Sequence, residues 1–298
     1  MPLLVIVGPT ASGKTSLAID LAIEHNGEVV SADSMQVYRG MDIATAKPTA
    51  EETRGVPHHL LGFVEPDERF SVVQYAPLAH AAIQDIARRG RLPILCGGTG
   101  LYIQAVTENL LLTEGEIAHD SAGTWQELSE IDPAAAAKIH PNDQKRVSHA
   151  LALYRATGVT LTEQNLRSRR APSPYDAKMI LLNARERQNL YARIDLRVDQ
   201  MLAMGLLEEA RQWRQEASAT AAQAIGYKEF KPYFLNKCTL EEAIDHLKRE
   251  TRRYAKRQLS WFRRQASEWN ERALGSCVEI YLEDSDLQQQ ALQFAQNL

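Results

Sequence analysis

An α/β fold, built as a doubly wound parallel sheet with a small inserted helical subdomain, is predicted by three observations. Gly8-Pro9-Thr10-Ala11-Ser12-Gly13-Lys14-Thr15 stands between an apolar run at residues 3–7 and a helical pattern. Over the first hundred residues short apolar strands alternate with helical stretches, the pattern of a parallel sheet covered on both faces. From about residue 110 to 173 the strand signal gives way to helices alone. The first observation makes the sheet a P-loop sheet, because G-x-x-x-x-G-K-T in a strand–loop–helix context is the spacing of a phosphate-binding loop.

Residues 3–8 read as the first strand and 15–24 as the helix behind the loop. Residues 28–32 form a second strand, 72–88 a helix stopped by Gly90, and 92–96 a third strand that runs into Gly97-Gly98-Thr99-Gly100-Leu101-Tyr102. In the insertion, 132–139 and 143–157 have helical spacing. Residues 178–183 return the chain to the sheet, 189–215 give one or two helices broken near Gly205, 240–271 form a long helix, and 278–282 a last strand. The catalytic core is thereby assigned to 1–109 and 174–298, and the helical insertion to 110–173.

With 298 residues, 44% hydrophobic and 24% charged, the chain carries enough apolar mass for one large core and a satellite. No stretch approaches the ~18 uninterrupted apolar residues of a membrane span, and residues 3–7 are a core strand rather than an export signal. A cytoplasmic monomer with no membrane partner is the expectation. Cys96, Cys238 and Cys277 lack paired spacing, which points away from a disulfide framework or a thiolate metal site. The net charge of −4 argues against a general polyanion binder. Yet Lys248, Arg249, Arg252, Arg253, Lys256, Arg257, Arg263 and Arg264 crowd one segment against a single acid, Glu250. That helix reads either as a solvated surface around a packed stripe of Leu247, Tyr254, Trp261 and Phe262, or as a seat for RNA phosphates.

The chemistry starts at the loop. Gly8 and Gly13 let consecutive backbone N–H groups turn inward around an anion, and the helix behind them adds its positive dipole end. Lys14 supplies a mobile charge for a terminal phosphate, and Thr15 a hydroxyl suited to Mg2+. The set that binds a diphosphate or triphosphate is therefore Gly8, Pro9, Thr10, Ala11, Ser12, Gly13, Lys14 and Thr15. Arg193 and Arg197, one turn apart, either join it or form a solvated helix face. Asp33, just past the second strand, sits at the carboxyl edge of the sheet as a proton acceptor or as a cap or turn residue. No apolar run ends in an aspartate placed to hold magnesium for ATP hydrolysis, which disfavours a motor ATPase or GTPase switch and favours a small transferase or kinase. Gly97-Gly98-Thr99 reads equally as a close backbone approach to a ligand or as a tight turn. His58 and His59 have no Cys or His at metal spacing and read as structural or active-site polar groups.

The segments GPTASGKT (8–15), SADSMQ (31–36) with Tyr38, DIATAKP (42–48), PHHL (57–60), GGTGLY (97–102), HPND (140–143), Ile225-Gly226-Tyr227 and RYAKRQLSWF (253–262) occur in this order. Together, over roughly residues 3–269, they closely resemble the tRNA dimethylallyltransferases, also called tRNA isopentenyltransferases. The resemblance implies transfer of a dimethylallyl group from dimethylallyl diphosphate to the exocyclic amine of the adenosine 3′ of the anticodon, with release of diphosphate. Asp33 matches the family's general base and Thr10 the residue that reaches the reacting end. Lys14, Thr15 and Mg2+ would stabilise the departing diphosphate. The target base must be extruded from its stack. Asp33, Ser34, Met35 and Gln36 are then expected on the extruded adenosine and Thr99 at the same entrance. Further tRNA contacts are implied at Gln144, Lys145, Arg146, Val147 and Ser148, at Gln223, Ala224, Ile225, Gly226, Tyr227 and Lys228, and at Arg253, Lys256 and Arg257. Two departures stand out: residues 109–125 are short and poor in charged helical residues, and His149 stands where the family has arginine, so a smaller helical subdomain is expected.

Three readings compete with this one. A small-molecule P-loop kinase would turn over ATP with a hydroxyl acceptor. An adenylate isopentenyltransferase acting on free nucleotides would need neither the basic helix nor the helical insertion. A non-catalytic RNA-binding module would leave Lys14, Thr15 and Asp33 without a task.

Overall fold

In a computed structural model the chain is described at residues 1–112, 123–213, 218, 220–271 and 274–296. The strands are β1 (Pro2–Val7), β2 (Gly27–Ser31), β3 (His58–His59), β4 (Leu92–Gly97), β5 (Asp176–Asn183) and β6 (Gly275–Tyr281). They form one six-stranded sheet in the order β3-β2-β4-β1-β5-β6, with every pairing parallel. Along β1, Leu3, Val5 and Val7 enter the core on one face while Leu4 and Ile6 enter it on the other. All five are fully buried, as a central strand covered on both sides requires.

The helices in chain order begin with α1 (Lys14–Glu24), α2 (Val72–Arg88) and α3 (Gly100–Thr107). Next come α4 (Trp125–Ile131), α5 (Pro133–Ala136), α6 (Gln144–Thr157) and α7 (Leu161–Ser168). The chain ends with α8 (Arg187–Ala203), α9 (Leu206–Trp213), α10 (Lys231–Phe234), α11 (Leu240–Glu271) and α12 (Leu287–Ala295). α1 and α12 pack on the Leu4/Ile6 face, and α2, α3 and α11 on the Leu3/Val5/Val7 face, where Tyr75, Phe262 and Trp269 are buried. From β1 the chain leaves toward β2, whereas from β4, its neighbour, it leaves toward β5. β1 and β4 therefore flank a topological switch point, and the loops at their carboxyl ends frame a crevice.

The described chain divides into two compact units, Met1–Thr107 with Pro174–Leu298, and Glu108–Ser173. The second is all-helical around Leu128, Ala135, Ile139, Val147 and Leu151. The helix expected at 132–139 is only Pro133–Ala136: Asp132 caps its start, and the chain turns from Ala137 onward. The Asp132 carboxylate accepts from Ala135 N (3.0 Å) and from the amide and hydroxyl of Thr162 (2.8 and 2.7 Å), tying α5 to α7. Most of the segment whose shortness was noted, residues 113–122, lies outside the described residues, as do 214 and 215 at the end of the helix expected at 189–215. β3, α3, α4, α7, α10 and α12 were not individually anticipated.

His58 and His59 form the edge strand β3, and His59 belongs to an ion cluster. Its Nε2 lies 2.7 Å from Oε2 of Glu28, a β2 carboxylate only 2% exposed. That carboxylate also accepts from Arg89 (2.7 Å to Nη2) and from Arg91 (2.7 Å). Hydrogen bonds from Arg89 first, with His59 assisting, hold the Glu28 pKa down at about 2 against the opposing effect of burial. A pKa depressed by folding contributes stability above the unfolded carboxylate value, ~4.3, and loses it as pH falls toward the folded one. Glu28→Gln is expected to lower the melting temperature by ~5 °C at pH 7. The gap from wild type should close between roughly pH 5 and pH 2, as calorimetry across that range checks.

Candidate active site

After Val7 the chain turns at Gly8, where a Cβ would stand 2.8 Å from the Leu182 carbonyl oxygen, so only glycine lets β1 and β5 stay this close. Ala11 (φ 62) and Gly13 (φ 79) then adopt left-handed conformations, and Gly13 caps α1. Backbone of alternating hand turns successive N–H groups toward one point, and the start of α1 faces the same point. The Lys14 ammonium lies across the loop, donating to Pro9 O (3.3 Å). Burial lowers its pKa, opposed by Cys96 and Asp33 and reinforced by Arg197. The Ser12 hydroxyl is buried inside the loop with no partner among the described residues. The loop is a concentrated, desolvated positive site suited to an anion.

Asp33 follows β2 at the same sheet edge. Its Oδ1 accepts from Met35 N (2.9 Å), an Asx turn that fixes the carboxylate. Ser34 N donates to Thr99 Oγ1 (2.9 Å), joining this turn to the one after β4. Loop and carboxylate open into one cavity of about 550 Å3, walled on its apolar side by Ile194, Val198, Met201, Leu206 and Leu247. Arg197 reaches it from α8; burial lowers its pKa, against the attraction of Glu52 and Asp33. The segment 42–48 forms another wall and is held from behind by Glu209 of α9. That carboxylate accepts the consecutive amides of Asp42 (2.9 Å), Ile43 (2.8 Å) and Ala44 (2.8 Å), and the Tyr227 hydroxyl (2.9 Å).

A cavity that joins an anion seat to a carboxylate suits the displacement of a diphosphate by a nucleophile whose proton must be removed. The family model described as IPP transferase matches residues 36–265, and that described as isopentenyl transferase matches residues 1–61. The chain belongs to the tRNA dimethylallyltransferase family. It is 51% identical to the tRNA dimethylallyltransferase of Halalkalibacterium halodurans, over 89% of each chain. It is 47% identical to that of Roseiflexus sp., over 98% of this chain and 96% of the relative. Among solved structures it resembles the tRNA isopentenylpyrophosphate transferase of Bacillus halodurans, with TM-score 0.71, 44% identity, and 99% and 95% coverage. It also resembles a eukaryotic dimethylallyltransferase acting on tRNA, with TM-score 0.81, 31% identity, and 98% and 78% coverage.

Against the family pattern, Thr10, Ala11, Gly13, Lys14, Thr15, Asp33, Ser34, Met35, Gln36 and Arg197 line the cavity, as do Gln223, Ala224, Ile225, Gly226, Lys228 and Arg257. Gly8, Pro9 and Ser12 form the body of the loop behind it. Arg193 instead braces the loop, donating Nε to Ala11 O (2.9 Å), and lines an adjacent cavity of about 410 Å3. Thr99 stands behind Ser34. Two residues expected to meet RNA do not present their side chains: Tyr227 is buried on Glu209, and Val147 is fully buried in the helical unit. Gln144, Lys145, Arg146 and Ser148 start α6 in that unit.

The basic stripe of α11 is less cationic than its sequence. Lys248 pairs with Asp199 (2.6 Å) and Arg252 with Asp195 (2.5 Å), both on α8. Arg253 pairs with Glu250 (2.6 Å), Arg263 with Glu279 (3.6 Å) and Arg264 with Glu268 (3.7 Å). Arg249, Lys256 and Arg257 make no ion pair among the described residues, and of these three Arg257 lines the cavity. Sequence reading missed Glu209, Glu52, Thr251 and the role of Gln258; of these only Gln258 lay inside a quoted motif. Glu209→Ala releases three adjacent amides from one carboxylate and is expected to raise KM for tRNA ~10-fold or more with the fold retained. Steady-state kinetics alongside circular dichroism check this, and an unchanged KM would show that the 42–48 wall stands without its latch.

Proposed function

We propose that this chain transfers the dimethylallyl group of dimethylallyl diphosphate to the exocyclic amine of the adenosine 3′ of the anticodon in tRNA, releasing diphosphate. One observation carries the reading: the phosphate loop and Asp33 open into a single cavity, in which Lys14 and Asp33 interact. The volume falls within the ~300–1,000 Å3 of sites that enclose a small ligand. An anticodon stem-loop does not enter such a space, whereas one extruded base does, at a few kcal/mol of lost stacking.

The amine is a weak nucleophile because its lone pair is shared with the purine ring. Attack on the allylic carbon forms the carbon–nitrogen bond as the carbon–oxygen bond to diphosphate breaks, and Asp33 accepts the amine proton. Negative charge grows on the departing oxygens, where the loop amides and Lys14 stabilise it. The depressed proton affinity of Lys14 suits this, since an arriving diphosphate supplies a counter-charge to the desolvated ammonium. Thr15 offers a hydroxyl at the cavity, and Mg2+ takes most of its ligands from phosphate and water, so this donor set fits the ion with Thr15 as its protein ligand. Bound there, Mg2+ would neutralise charge on the leaving group. Thr10 lines the same cavity, and family resemblance gives it the reacting end of the loop.

No helix of the described chain is long and apolar enough to cross a membrane. tRNA and the prenyl diphosphate are thus the partners this reading requires, and a monomer contains the whole cavity. Family membership weighs against the kinase and the free-nucleotide enzyme, and labelled dimethylallyl diphosphate offered with unmodified tRNA, AMP or ATP separates them. Label is expected in tRNA alone; label in AMP, or ATP consumption with an alcohol, would overturn the proposal. Asp33→Ala should lower kcat by ~100-fold or more while diphosphate binding persists. Lys14→Ala should weaken binding of the diphosphate as well. Near-normal turnover in Asp33→Ala would remove it from the role of base.

A further inference from the structure

The two loops at the switch point meet on one side chain, Gln258 of α11. Its Oε1 accepts from Thr10 N (2.9 Å) and its Nε2 donates to Gly98 O (3.0 Å). The residue is only 5% exposed. Residue 98 must be glycine for this: a Cβ there would stand 2.3 Å from the Gln258 nitrogen. Tyr254, one turn earlier, brings its hydroxyl to Thr99 and Gln258, and Thr99 in turn holds Ser34 N (2.9 Å). The phosphate loop, the turn after β4 and the Asp33 turn are thereby one hydrogen-bonded frame, with an amide at its node.

We propose that Gln258 is a positioning residue for the transfer, setting Thr10 and the Asp33 turn in register so that the leaving diphosphate and the proton acceptor address the same carbon. This rests on the functional reading above. The node needs one acceptor and one donor without net charge. An amide meets that requirement, whereas an ionised carboxylate presents two acceptors, one of them against the Gly98 carbonyl, and adds negative charge where a diphosphate must bind. The titratable and charged groups around the node are Asp33 after β2, Lys14 in the loop, Cys96 on β4, Arg197 on α8, and Tyr254 and Arg257 on α11.

Gln258→Glu tests the proposal because a protonated carboxylic acid restores the donor and the ionised one removes it. Transfer by wild type and variant is measured from pH 8 to pH 5, and the variant-to-wild-type ratio of kcat cancels the titration of Asp33 and other shared groups. Wild-type transfer to tRNA tests the functional reading; the ratio tests Gln258. The ratio is expected to rise ~10-fold or more as pH falls, with KM for dimethylallyl diphosphate changing less than kcat near pH 5. A ratio that stays flat with pH, at high or low activity, would overturn the proposal. Should that variant not fold, Gly98→Ala carries the test by pushing a methyl group into the amide of an intact Gln258. A kcat loss of ~10-fold or more with KM within ~3-fold supports the proposal, and an unchanged kcat overturns it.

Discussion

A backbone curl that concentrates amide N–H groups on one point, with a partly desolvated ammonium beside them, is electrostatically unfavourable until an anion arrives. It persists because its surroundings leave it no other conformation. β1 and β5 close on Gly8 from one side, Arg193 grips the Ala11 carbonyl from another, and Gln258 holds the Thr10 amide from a third. Each support comes from a distant part of the sequence, so the loop's shape is a property of the folded core. The apolar faces of β1, fully buried on both sides, supply the rigidity on which these small polar contacts depend.

Charge is treated in two opposite ways in the same unit. Below the sheet edge, Glu28 is surrounded by Arg89, Arg91 and His59 until its charge is satisfied within the protein. At the carboxyl edge, half-buried Lys14 and Arg197 have only partial compensation from Asp33 and Glu52. The first arrangement stabilises the fold. The second reserves its interaction energy for a ligand, which is how a site gains selectivity for an anion that brings its own charge. α11 contains both: its flanks are neutralised by acids of α8 and β6, while Arg257, at the cavity, has no ion pair among the described residues.

What could be read from the sequence follows the range of the interactions concerned. The phosphate loop, α2 and α11 were legible because spacing, capping and amphipathic periodicity are local, and the bounds of α2 and α11 agree with those expected. The two-residue β3 carries no alternation to detect, and α3 was masked by the glycines that begin it. Within the site, Asp33 was visible from its place after a strand. Glu209 was invisible because its three amide partners lie at least 165 residues away and nothing in α9 marks it as other than a surface acid. Counting charges along α11 likewise overstated its basic character, since three of the acids that answer it, Asp195, Asp199 and Glu279, come from other elements.

The central claim is that one cavity holds a prenyl diphosphate on the loop and an extruded adenosine at Asp33 together. A crystal structure of the protein with an anticodon stem-loop and an unreactive thio-analogue of dimethylallyl diphosphate measures this directly. The account predicts the diphosphate on the amides of residues 10–15 and the adenosine amine within ~3 Å of the Asp33 carboxylate. An adenosine still stacked in its loop, or a diphosphate seated away from Lys14, would contradict it.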